Sequence, residues 1–257
     1  MRVPLLPLVL LLLVPPLAAQ VPDTAGADTA RSVDAVRAWQ VGALAGAAVV
    51  GMVLLDEPIR DYFQDHQSPT ADDVSEVVEY LGRFSVVGPI GGAIMLGGLV
   101  AKQPEVIRVG GRAIAAVLAA QVVVQPLKYG LGRVRPSGTD DALDFEPFSG
   151  NAAFPSGHSS VAFAFFGSLA MDVGNPWAAA GLYLVAGSVA WQRMYANAHW
   201  FTDVGVSAVI GIASARFVRG DLMVFGVRAP SILRAPDGRM AVGWSLDFSS
   251  GAFAVAR

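Results

Sequence analysis

Two histidines, a serine, a carboxylate and several cations fall between Lys128 and Asp203, in a chain that is otherwise strongly apolar. They form three blocks. The first reads Lys128-Tyr-Gly-Leu-Gly-Arg-Val-Arg135-Pro136, the second Phe154-Pro155-Ser156-Gly157-His158, and the third Gln192-Arg193 followed by His199 and Asp203. Chemistry on a phosphate-like oxyanion needs this inventory: cations to meet the charge, a nucleophile, a proton donor, and an acid that orients the nucleophile. Neither cysteine nor an acidic cluster of metal-ligand kind stands beside these residues. Thiolate and carboxylate metal sites are therefore not expected, and lysine and arginine are left to neutralise the bound anion.

Each block has a local geometry. Lys128 and Arg135 are seven residues apart, two helical turns, which puts them on one side if the chain is helical there. Gly130 and Gly132 weaken that helix and Pro136 ends it. Arg133 lies between the two and is expected to point elsewhere, so it is set aside. Ser156 opens an apolar helix as an N-cap, and the same helix start offers free backbone N–H groups, that of Gly157 among them, to an anion. His158 stands in the first turn, within reach of a leaving oxygen. His199 and Asp203, at i and i+4, share a face at the start of the last apolar helix. A carboxylate on one ring nitrogen fixes the tautomer and frees the other nitrogen. An ionisable pair is costly in so apolar a segment, which marks it as functional.

The elements that must position these residues are apolar helices. Hydrophobic residues make up 54% of the 257-residue chain and charged ones 15%, with a mean hydropathy of +0.51. The net charge of −3 and the lack of a basic patch give no sign of nucleic-acid binding. Six apolar segments run over about 38–55, 84–101, 112–127, 157–173, 177–195 and 200–217. Each is near the lower length limit for crossing a bilayer as a helix. Small residues within them, as in Ala45-Gly-Ala-Ala-Val-Val-Gly51, suit close packing between helices in a membrane. The fold expected is all-α: a membrane-embedded bundle of about six helices. A soluble bundle with buried apolar helices is the alternative.

Outside that bundle, residues 1–20 have the charge, apolar run and small-residue end of a secretory signal, and 21–35 read as a loose arm. The helical domain is expected over 36–220. Between its first two segments, Asp56–Phe84 carries eight acids against two arginines. Thr70-Ala-Asp-Asp73 there resembles a capping box opening an amphipathic surface helix, with His66 in the loop before it. Residues 221–257 form a tail in which 231–248 read as a hairpin turning at Asp237-Gly238. Lys102, Arg108 and Arg112, with the arginines after residue 215, belong on the cytoplasmic side by the positive-inside rule. The three blocks then meet on the opposite face. A cleaved signal and a spanning 38–55 helix conflict with that orientation, so 38–55 is expected to lie against the bundle from the outer side.

The pattern Lys-x6-Arg-Pro, Pro-Ser-Gly-His and Arg-x5-His-x3-Asp, in this order, resembles the type 2 phosphatidic acid phosphatase superfamily. That group holds membrane lipid phosphatases, soluble acid phosphatases and vanadium haloperoxidases. The resemblance implies that Lys128, Arg135 and Arg193 bind phosphate oxygens, with Ser156 and the Gly157 N–H assisting. It implies that His199 attacks phosphorus, Asp203 holds its tautomer, and His158 protonates the leaving alcohol. It implies no cofactor and no metal, and as partners a lipid phosphate and the membrane. One position departs from the pattern: Gln192 stands where the family usually has serine. The activity implied is hydrolysis of a lipid phosphomonoester or diphosphate through a phosphohistidine. An exported acid phosphatase, a vanadate-dependent haloperoxidase and a non-catalytic lipid-phosphate binder are the alternatives.

Overall fold

A computed structural model describes residues 27–224 and, beyond them, 227, 229, 231–234, 240–243 and 253–255. The expected signal, residues 1–20, lies outside the described residues. The described chain is α1 (Ala27–Leu54), α2 (Asp56–Asp65), α3 (Pro69–Glu79), α4 (Phe84–Val100), α5 (Pro104–Leu131), α6 (Gly157–Asp172), α7 (Pro176–Tyr195) and α8 (Phe201–Arg219), with four short strands after them. Helix α1 thus begins inside the stretch expected as a loose arm. Contacts divide the chain into two compact units, one of Gly51–Ala215 and one of Met1–Val50 with Arg216–Arg257.

All the candidate site residues lie in the Gly51–Ala215 unit. There α4 packs on α5, α5 on α6 and α6 on α7, while α2 and α3 lie along α7. Small residues let the first pair approach closely: a Cβ at Gly110 would stand 2.6 Å from the Gly91 carbonyl oxygen. Val117, Val124, Phe165 and Val189 are fully buried between the helices. The outward faces are just as apolar, with Leu96, Val100, Val122 and Leu184 mostly exposed. Water disfavours such a surface and lipid does not. Among the described residues, Gly42–Asp65, Pro104–Leu131 and Phe201–Arg219 are long and apolar enough to cross a membrane. Pro69–Gly82 with Phe84–Val100, bent by 59°, makes a fourth if counted as one span.

Five expected apolar segments coincide with α4 to α8. The third is longer than its apolar run, because Pro104 sits at the first turn and pre-sets the helix. Helix α5 ends where Gly132 turns left-handed at φ 59°, with its N–H bonded to Lys128 O at 3.1 Å. A Cβ at 132 would stand 1.8 Å from Glu146 O, so only glycine fits. The surface helix α3 begins earlier than Thr70: Ser68 is the N-cap, its hydroxyl accepting from Ala71 N, with Pro69 in the first turn.

In the other unit, β1 (Leu222–Val224) pairs antiparallel with β4 (Phe253–Val255). Strands β2 (Ser231–Arg234) and β3 (Met240–Gly243) form the expected hairpin, in the register Ser231↔Gly243 to Arg234↔Met240. The expected turn at Asp237-Gly238 lies outside the described residues. Pairing of β1 with β4 had no counterpart in the sequence reading.

Candidate active site

The C-terminal end of α5, the start of α6, the end of α7 and the start of α8 bring the three blocks together at one end of this unit. Lys128 is on the last turn of α5, and its chain passes Gly157, where an added Cβ would be 3.5 Å from Lys128 Cε. The Lys128 ammonium also donates to Ala152 O at 2.5 Å. Arg135 does not lie on a continued helix beside Lys128, because Gly132 has already ended α5. It is instead an exposed residue of the 132–156 loop. Its charge still reaches Lys128, Arg193 and His199. Any approach of the two cations comes from the fold of the loop and not from their helical spacing.

Ser156 caps α6 as expected: its side chain is fully buried and accepts from Ser159 N at 3.4 Å. The Gly157 N–H opens that helix. His158, in the first turn, has a buried Nε2 without a hydrogen-bond partner. Its ring lies against Gly82, where a Cβ would stand 2.7 Å from His158 Cβ and 2.8 Å from Val189 Cγ1. The absence of a side chain at 82 makes the room for this histidine.

His199 sits in the α7–α8 connection rather than on α8. Its Nδ1 lies 2.7 Å from the Ala153 carbonyl and 3.5 Å from Asp203 Oδ2. A carbonyl only accepts, so Nδ1 carries the hydrogen and Nε2 is left with its lone pair. The tautomer is therefore set chiefly by the Ala153 backbone, whereas the sequence pointed to Asp203. Ala153 is placed by its own N–H, which donates to Arg133 O at 3.0 Å, and by packing among Ala142 and Trp200. Burial pushes the His199 ring below the ordinary imidazole range against the opposing pull of Asp203, and Lys128 and Arg135 push it the same way.

Asp203, in the first turn of α8, is fully buried and holds several groups at once. Its Oδ2 accepts from Trp200 N at 2.8 Å, closing the helix start, and its Oδ1 meets Arg133 NH1 at 2.6 Å. Arg133 is the residue that sequence reasoning set aside. It does point away from Lys128 and Arg135, yet into the site's foundations. With no solvent exposure, it bridges Asp203 and Asp56 Oδ2, each at 2.6 Å, and donates to Ala142 O through Nε at 3.0 Å. Asp56, the first residue of α2, in turn accepts from Thr202 N at 2.7 Å and from its hydroxyl. No local spacing links residue 56 to 203. In the sequence Asp56 was only one of the eight acids of the 56–84 stretch, directly after the apolar run 38–55.

Arg193, near the end of α7, is 8% exposed. Its Nε donates to Gln192 Oε1 at 2.7 Å, and Gln192 Nε2 donates to Ser75 on α3 at 3.2 Å. Gln192 therefore tethers the arginine through its acceptor oxygen. Glu79 Oε1 lies 3.6 Å from Arg193 NH2 and binds Arg83 at 2.8 Å. Among the described residues no three His, Asp or Glu side chains group as a metal ion requires.

Residues 110–222 match the family model described as the PAP2 superfamily, and all three blocks fall inside that span. Over those residues the chain is similar to the PAP2 superfamily. A lipid A 1-phosphatase from Porphyromonas gingivalis is 36% identical over 87 residues, 33% of this chain and 17% of the relative's length. Among solved structures, LpxE of Aquifex aeolicus superposes with a TM-score of 0.50 at 24% identity, covering 64% of this chain and 94% of its own. A transmembrane PAP2-type phosphatidylglycerolphosphate phosphatase from Bacillus subtilis superposes with a TM-score of 0.54 at 22% identity, covering 68% and 92%. The all-α, membrane-embedded bundle expected from the sequence is thus the fold observed.

Proposed function

We propose that this protein hydrolyses a lipid phosphomonoester or diphosphate through a phosphohistidine, without a divalent metal. The observation that carries the reading is His199: Nδ1 is occupied by Ala153 O, so Nε2 is free, in reach of the charges of Lys128 and Arg135 and of His158. Lys128, Arg135 and Arg193, with Ser156 and the Gly157 N–H, hold the phosphate oxygens and spread their charge. The His199 Nε2 lone pair forms the N–P bond as the bond from phosphorus to the leaving oxygen breaks. His158 gives that oxygen its proton. Water then attacks phosphorus, His158 takes the water's proton, the N–P bond breaks and inorganic phosphate leaves.

A lipid substrate is supported by the apolar outer faces of the bundle and by the likeness to a lipid A 1-phosphatase and a phosphatidylglycerolphosphate phosphatase. Phosphatidate and polyprenyl diphosphates complete the set to be assayed. The site faces away from the cytoplasm. Lys102, Arg108 and Arg112 lie at or near the N-terminal end of α5, opposite Lys128, and Arg112 pairs with Asp172 at the far end of α6 at 3.0 Å.

The test is His199→Ala on the purified full chain, with phosphate release and acid-labile labelling measured against that lipid panel. Turnover falls by at least about 10⁴-fold and the labelled enzyme disappears. Substantial residual turnover removes His199 as the nucleophile, and loss of wild-type activity in EDTA defeats the metal-free mechanism. Reporter fusions after residues 35 and 60 report on the same side of the membrane if 38–55 does not cross it.

A further inference from the structure

Resting on His199 as the nucleophile, we infer that Asp56 and Arg133 are positioning residues for the reaction: through Asp203 they set how readily the His199 ring accepts positive charge. As the N–P bond forms with Nδ1 still protonated, the ring passes from neutral to cationic. The fixed charges behind it are Asp203, Arg133 and Asp56, all without solvent exposure and joined by contacts of 2.6 Å. With all three ionised, their sum is one negative charge, enough to balance the ring once it is phosphorylated. Water cannot adjust that sum, because the whole chain of charges is buried.

Each member has a distinct part. With Asp203 alone, a fully buried carboxylate would gain by protonation, and the orienting anion would be lost. Arg133 keeps it ionised, and its ring contacts with Trp200 and Phe145, each at 5.4 Å, hold the guanidinium plane in place. With Asp203 and Arg133 only, the two charges cancel, and nothing behind the ring favours its positive form. Asp56 restores the negative sum. It is held for that purpose by the N–H and hydroxyl of Thr202, the residue next to Asp203. The other charged groups facing His199 are the cations Lys128 and Arg135, which oppose a positive ring, and His158.

The experiment is a pH profile of kcat and KM for wild type, Asp56→Asn and Thr202→Val, using a short-chain phosphatidate in detergent. In Asp56→Asn the loss of a negative charge makes the ring release its proton more readily. The acid limb moves to lower pH by about one unit, kcat falls about tenfold or more, and KM changes little. Thr202→Val, of equal volume, removes the hydroxyl contact with Asp56 and moves the limb the same way by less. A purely structural part for Asp56 lowers activity in proportion to the folded fraction with the limb unmoved, and that result overturns the inference. If Asp56→Asn does not accumulate as folded protein, an unmoved limb in Thr202→Val overturns it alone. His199→Ala is run alongside: activity persisting there defeats the nucleophile assignment itself, a different failure.

Discussion

Arg133 and Arg193 sit at the same end of one helical unit and are used in opposite ways. Arg133 spends its donors on fixed partners, the carboxylates of Asp56 and Asp203 and the carbonyl of Ala142. Arg193 is tethered at its inner nitrogen by Gln192, and its nearest carboxylate, Glu79, stands 3.6 Å away, too far for a hydrogen bond. A guanidinium bonded at all three nitrogens and wholly buried is a rigid part of the scaffold and is out of a substrate's reach. A tethered, unsaturated one is already aimed and still able to bind an oxyanion. On the proposed mechanism, two residues of one type thus divide the work of holding the nucleophile and receiving the phosphate.

The contrast is broken most severely at Arg133. Arg133→Met leaves Asp56 and Asp203 facing each other without a cation, and stability falls by about 3–5 kcal/mol. The thermal unfolding midpoint in detergent reads this directly, and an unchanged midpoint with lost turnover would show that Arg133 is not structural. Arg193→Ala is expected to do the reverse. Losing one oxyanion donor costs about 3 kcal/mol at the transition state, roughly 10²-fold in kcat, with the midpoint nearly unmoved. Equal destabilisation in the two variants erases the distinction.

Smaller effects sharpen it. In the proposed reaction the neutral His199 ring attacks, and its folded-state pKa is lowered by burial, so the neutral form persists to more acid pH than usual. The acid limb of kcat/KM therefore falls below the ordinary imidazole value of about 6.5, and a limb above it contradicts the buried ring. Gln192→Leu frees Arg193 without touching its charge, and turnover drops about tenfold with the midpoint lowered only slightly. The smallest change is expected from Glu79→Gln. That carboxylate is part exposed and shared with Arg83, so activity shifts by no more than about threefold and less at high salt.

Much of this was legible because it is local. The three blocks, the Ser156 cap and the later apolar helices each depend on residues within a few turns of one another. Hydrophobic period, cap chemistry and the proline and glycine stops are written at that range. Local reading failed where the answer lay across the chain. Spacing tied Lys128 to Arg135 as neighbours on a helix, but Gly132 ends the helix and any approach of the two comes from the loop. Spacing also tied His199 to Asp203, while the closest contact to Nδ1 came from Ala153, 46 residues away.

By itself the sequence determined the residue types of the site, the apolar helices that carry them, and the oxyanion chemistry such a set can perform. Those follow from composition and short-range pattern, since helices and caps are decided by neighbouring residues. Only the tertiary structure decided which groups fix the nucleophile. Asp56 reaches Asp203 through Arg133, across 77 and 70 residues respectively, because α2, the 132–156 loop and α8 begin at one buried point. Buried charges must find partners wherever the fold brings them, and no sequence interval specifies which ones those will be.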